Sequence, residues 1–158
     1  MQVFEVNSES IKSVMNQLFK GTAFDRFLVR GAEISVFTKI EISGILDKNY
    51  LTEAERKAID RNYVFWDEIK PFALSLIKGS RTPGILKIIF SITDGEVAVL
   101  HKSASAMFLN FLYEEGKLRF TTAVGLRGFS LDKSADAAWD TYIKRFLSEN
   151  KWSVSTLS

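Results

Sequence analysis

The chain has 158 residues, 46% of them hydrophobic and 25% charged, so it can bury a full core without covalent staples and disorder is not expected. Cysteine is absent, which excludes disulfides, thiolate nucleophiles and cysteine-bearing zinc or iron–sulfur sites and suits a reducing cytoplasm. Twenty-one Lys and Arg against nineteen Asp and Glu leave a net charge of +2, with both signs interspersed, so blanket attraction to nucleic acid is not expected.

Met1-Gln2-Val3-Phe4-Glu5 lacks a basic start and meets an acid before any apolar stretch, so no signal peptide is expected. Val3 to Val6 is a short strand candidate. Ser8 is placed to cap a helix whose apolar residues Ile11, Val14, Met15 and Leu18 follow the helical i, i+3, i+4, i+7 rule. Lys20 faces the negative end of its dipole, and Gly21 is expected to take a left-handed conformation just beyond it. Phe24 to Arg30, a Gly31-Ala32 turn and Glu33 to Ile42 read as a hairpin, with Ile34, Val36, Ile40 and Ile42 on one face.

Thr52-Glu53-Ala54-Glu55 is a capping box opening a short charged helix outside the core, where Glu53 stands four residues before Lys57. A second amphipathic helix is expected from about Asp67 to Lys78, burying Ile69, Phe72, Ala73, Leu76 and Ile77, with Pro71 in its first turn. An antiparallel meander follows: Ile85 to Ile92, a turn at Thr93-Asp94-Gly95-Glu96, Val97 to Lys102, Met107 to Tyr113, a turn at Glu114-Glu115-Gly116, and Lys117 to Val124. The longest uncharged run in it, Ser103 to Tyr113, is too short to span a membrane, which takes about 20 apolar residues. The last helix, about Ala135 to Leu147, shows Ala135, Trp139, Tyr142, Ile143 and Phe146 on one face, before a closing strand at Trp152, Val154 and Thr156.

Two short patterns recur in order. Leu18-Phe19-Lys20-Gly21-Thr22 returns as Leu76-Ile77-Lys78-Gly79-Ser80, and Gly44-Ile45-Leu46-Asp47-Lys48 returns as Gly128-Phe129-Ser130-Leu131-Asp132-Lys133. Good helix-ending chemistry explains the first match as well as a duplication would. As a duplication spanning 1–50 and 62–134, the β-α-β-β-β order resembles a sliding-clamp (DNA clamp) domain. That resemblance implies two helices side by side on one face of curved antiparallel sheets. Clamps meet the DNA backbone with basic helix faces; here Glu9, Lys12, Ser13, Asn16 and Gln17, and Asp67, Glu68, Lys70 and Ser75, make mixed faces instead.

Trp66-x-x-Ile69-Lys70-Pro71, then Leu76-Ile77-Lys78-Gly79-x-x-Thr82-Pro83, and later Gly128-Phe129-x-Leu131-Asp132-Lys133 with Trp139-Asp140, run the length of the chain. As a set they resemble an uncharacterised domain family of clostridial bacteria. The resemblance implies no activity and transfers no functional residue.

Catalytic constellations are thin. The single histidine, His101, has Ser103 and Ser105 nearby, but no Gly-x-Ser-x-Gly elbow accompanies it, and a lone histidine of this kind is more often structural. Carboxylates show no metal-binding spacing; Asp47, Asp132, Asp136 and Asp140 read as cap and helix-surface residues. Lys78-Gly79-Ser80-Arg81-Thr82-Pro83 looks like a phosphate loop but follows a helix, whose carbonyl end opposes anions. Its functional reading is a basic patch of Lys78, Arg81 and Lys87. Trp66, Trp139 and Trp152 are expected in the core with their indole N–H groups bonded. Phe108, Phe111 and Phe120 on neighbouring strands suggest a base-stacking platform, though basic interleaving is sparse.

The reading is therefore one α+β domain over 1–158, with antiparallel sheets packed by about three to four helices and clamp-like duplication as its boldest form. It is expected to be a non-enzymatic binding or assembly module, needing no cofactor or metal, with a protein partner, a second copy of itself or nucleic acid on its surface and no membrane contact. The alternative is a small cytoplasmic enzyme acting on a phosphorylated or nucleotide-like substrate.

Overall fold

The computed structural model describes residues 1–77 and 82–157. The elements run β1 (Val3–Val6), α1 (Ser8–Phe19), β2 (Leu28–Ser35), β3 (Lys39–Ile42), α2 (Glu53–Ala58), α3 (Trp66–Ile77), β4 (Ile85–Ser91), α4 (Asp94–Leu100), β5 (Ala104–Glu114), β6 (Lys117–Leu126), α5 (Ser134–Glu149) and β7 (Val154–Thr156). All seven strands join one antiparallel sheet in the order β3-β2-β4-β5-β6-β1-β7. The fold is α+β, with one sheet and five helices among the described residues.

Strand alternation sorts the sheet into a buried face and an open one. In register across five strands, Ala32, Ile88, Phe111, Phe120 and Phe4 form a buried row. One residue along, Glu33, Lys87, Leu112, Arg119 and Glu5 form the row on the opposite face, each at least partly exposed. Val14 and Leu18 of α1, Trp66 and Ala73 of α3, Val97 of α4, and Ala135, Trp139, Ile143 and Leu147 of α5 join the first row in a single core cluster. At its middle the Phe24 ring is fully buried and lies within 5.3 to 6.2 Å of Phe27, Phe90, Phe111, Phe120, Phe146 and Trp152.

Several local expectations change. The Gly31-Ala32 pair lies inside β2, and the reversal comes later, where the Val36 N–H donates to the Thr38 carbonyl. Val29 and Ala32 are both buried although three residues apart; a register shift between Val29 and Gly31 inserts the extra residue that lets both face inward. The expected strand from Val97 is α4: Thr93 and Glu96 form a capping box that opens a helix where a turn was expected. Of its apolar residues only Val97 is buried, while Val99 is 87% exposed.

The helices are also adjusted at their ends. Asn7, one residue before Ser8, is the N-cap of α1, and its amide bonds the Ser153 and Ser155 hydroxyls instead of the helix. Gly21 is not left-handed; among the described residues the glycines with positive φ are Gly44 and Gly116. Pro71 is the sixth residue of α3, past the first turn, and stands with Asp67 on the exposed side, where the carbonyl that loses its partner meets water. Phe72, expected inside, is 69% exposed.

The Thr52–Glu55 capping box, the Glu53–Lys57 ion pair at 3.2 Å and the absence of buried residues in α2 match the sequence reading. So does the turn after Glu114, where Glu115 and Gly116 have φ of 52° and 74°, the signs a two-residue hairpin loop of the I′ kind requires. Of the two matching segments, 78–80 lie outside the described residues. The later half carries α4 between β4 and β5, whereas β2 and β3 in the earlier half follow each other directly.

Candidate functional site

The connection from α2 to α3 is short of regular structure but is pinned along its length. Leu46 N–H donates to the Asn62 carbonyl, Val64 N–H to Gly44, Val29 N–H to Val64 and Trp66 N–H to Phe27. Isolated bridges at Ile45–Tyr63 and Leu28–Phe65 make it an extended ribbon beside the start of β2. Alternation then brings Tyr63 and Phe65 from the ribbon to the same side as Arg26, Leu28 and Arg30, all of which line one cleft of about 740 Å³. Asp60, Arg61 and Asn62, the Thr93-Asp94-Gly95 segment, and Ser105 and Ala106 complete its wall.

Arginine and aromatic side chains alternate in this cleft. The Arg30 guanidinium carbon is 4.2 Å from the Tyr63 ring centroid and 5.2 Å from that of Phe108, while its Nε donates to the buried Ser91 hydroxyl at 3.0 Å. Arg26 and Arg61 lie 4.3 and 4.2 Å from the Phe65 centroid. Two guanidinium groups thus share one aromatic ring. Each such contact contributes about 0.5–1 kcal/mol at a solvated site and holds a planar cation in one orientation.

The three arginines are not equivalent. Arg61 is engaged by Glu68 through two parallel bonds of 2.6 and 2.9 Å and also donates to the Tyr63 carbonyl at 2.9 Å. The Arg61 hydrogen bond holds the Glu68 carboxyl below its ordinary range, helped by the Phe65 backbone N–H and opposed by partial burial. That carboxylate also accepts from the residue preceding α3, as the third residue of a capping box does. Among the described residues Arg26 and Arg30 have no carboxylate within ion-pair distance, and Asp60 and Asp94 have no cation within it. Among the described residues the cleft therefore presents two cations and two carboxylates that form no ion pair.

Lys78 and Arg81 of the expected basic patch lie outside the described residues. Lys87 is exposed on the open face of the sheet, opposite Glu33 in register, and shares a depression with Glu33 and Glu41. Its described surroundings are thus acidic. Phe108 and Phe111 are three residues apart and point to opposite faces; Phe111 and Phe120 are in the core, leaving Phe108 to stack on Arg30. The three tryptophans are buried with their indole N–H groups bonded to Leu18 O, Phe108 O and Ser13 Oγ.

His101 sits at the C-terminal end of α4 rather than on a strand. Its Nδ1 accepts from the Ser103 N–H at 3.1 Å, which places the neutral ring's proton on Nε2, 2.7 Å from the Ser134 hydroxyl. Ser134 in turn donates to Asp132 Oδ2 at 2.9 Å. A serine nucleophile must give its proton toward the imidazole. Here it goes the other way, and the chain of bonds ties the end of α4 to the start of α5. Asp132 also accepts the Ser134 N–H at 2.9 Å, and that bond first, then the hydroxyl, lowers its pKa. Asp47 is likewise occupied locally, by the Asn49 N–H, while Asp140 accepts from the Thr122 hydroxyl of β6. Among the described residues no three His, Asp or Glu side chains gather as a metal-ligand set, and no helix is long and apolar enough to cross a membrane.

Sequence reasoning missed the arginine–aromatic cleft. The signal was period-two spacing in two separate stretches, Arg26-x-x-x-Arg30 and Arg61-x-Tyr63-x-Phe65, with nothing local to say that they meet. The model of a family of unknown function, DUF5721, matches residues 17–155. No curated protein and no solved structure matches the chain.

Proposed function

We propose that this chain, which belongs to the DUF5721 family of unknown function, is a binding module that engages anionic groups of its partner through Arg26 and Arg30. The observation that carries this reading is the Arg30 guanidinium, set over the rings of Tyr63 and Phe108 and anchored at Nε, with its terminal nitrogens left for a partner in the cleft. Fixing an arginine in advance reduces the ordering cost of each bond it later makes. Groups bearing a phosphate or a carboxylate are the ligand chemistry such a surface serves.

The test compares the wild-type chain with an Arg26→Gln, Arg30→Gln variant against labelled single-stranded DNA and RNA, an acidic peptide and nucleotides, at low and moderate salt. At least one class is expected to bind, to weaken as salt rises, and to lose about tenfold or more in affinity in the variant. Failure of every anion to bind, or binding indifferent to both substitutions, removes the reading. A second reading is an enzyme acting on a phosphorylated substrate. Asp60 and Asp94, lining the same cleft as the arginines, favour it, and turnover of a phosphoester that disappears in Asp60→Asn or Asp94→Asn is its test.

A further inference from the structure

We infer that the cleft takes a nucleoside monophosphate, its phosphate on Arg26 and Arg30 and the donor groups of its ribose and base on Asp60 and Asp94. This rests on the anion-binding reading and narrows it by the two carboxylates. Among the described residues neither carboxylate is paired with a cation, and both are exposed in a cleft whose remaining arginine is already held by Glu68. An extended polyanion crossing this cleft brings phosphates or carboxylates up to Asp60 and Asp94 and is repelled. A ligand with negative charge at one end and hydrogen-bond donors at the other satisfies both halves.

Size and surface support the same class. A cleft of about 740 Å³ lies within the usual range for small-molecule sites. A free amino acid has a similar two-ended polarity but fills only a fraction of it. Tyr63 and Phe65, both partly exposed, give a base or sugar apolar surface beside the polar groups. Charge-assisted bonds from a planar guanidinium suit a terminal phosphate, which accepts two at once.

The test is calorimetric titration of the full chain with the four common ribonucleoside 5′-monophosphates, the matching nucleosides, inorganic phosphate and a twelve-nucleotide RNA. At least one monophosphate is expected to bind about tenfold or more tightly than its nucleoside or inorganic phosphate, and to lose that margin in Arg30→Gln. Arg26→Gln, at an exposed position, repeats the test where folding is not at risk. The Asp60→Asn, Asp94→Asn variant is expected to bring the monophosphate and inorganic phosphate closer together. Equal binding of nucleoside and monophosphate overturns the inference, as does equal binding of monophosphate and inorganic phosphate. Arginine-dependent binding of the RNA alone overturns it while leaving the anion-binding reading standing; no binding of any anion overturns both.

Discussion

The Trp66 indole N–H donates to the Leu18 carbonyl oxygen over 2.7 Å inside the core. Leu18 is in the last turn of α1, where carbonyls have no partner within the helix. The first residue of α3 thus completes the end of α1, and the neighbouring Lys70–Asp25 ion pair at 2.6 Å, with Lys70 also on the Gly21 carbonyl, fastens the same junction.

Trp66→Phe keeps most of the ring volume and removes the donor. Leaving the Leu18 oxygen buried and unpaired is expected to cost about 1–3 kcal/mol in urea unfolding. A loss below a few tenths would mean that water reaches that oxygen.

Phe24→Ala opens a void beneath six aromatic neighbours. A destabilisation of about 3–5 kcal/mol is expected, and Phe24→Leu should recover more than half of it. Denaturant midpoints at unchanged slope are the measurement.

Two glycines with positive φ make a controlled pair. At Gly44 (φ 75°) a Cβ would meet the Val29 carbonyl oxygen at 2.0 Å, whereas at Gly116 (φ 74°) it meets nothing within 4 Å. Gly116→Ala is expected to cost only the backbone term, about 1 kcal/mol. Gly44→Ala must also displace the loop that anchors the ribbon through the Val64 N–H, so its loss in melting temperature should be at least twice as large.

Acid should loosen the ribbon first. Glu68 is held below its ordinary pKa of 4.5, chiefly by Arg61. A carboxylate depressed in the folded state contributes stability that is complete above its unfolded pKa and is lost as pH falls through the folded value. The contribution therefore begins to fall below about pH 4.5 and is lost as pH drops through the lower folded value, and Glu68→Gln should flatten the pH dependence of stability there. Amide exchange at Phe65, whose N–H bonds this carboxylate, reports the same change locally. An unchanged acid limb in the variant would place the cause elsewhere.

Much of the secondary structure is legible because its causes are local. Ile11, Val14 and Leu18 mark α1, Ala135, Trp139 and Ile143 mark α5, and Glu115-Gly116 marks the β5–β6 turn, each within a few residues of chain. The run from Val97 to Leu100 misleads because a capping box upstream outweighs its strand preference, and Gly31 misleads because a bulge uses a glycine as readily as a turn does.

Composition and periodicity by themselves determined that this chain builds an α+β core around aromatic side chains. Only the tertiary structure decided that Arg26 and Arg30 meet Tyr63 and Phe65 across more than thirty residues of chain. The reason is physical: hydrophobic periodicity is written into each segment, but the meeting of two polar segments depends on where the intervening helices and strands are packed, and no single stretch carries that information.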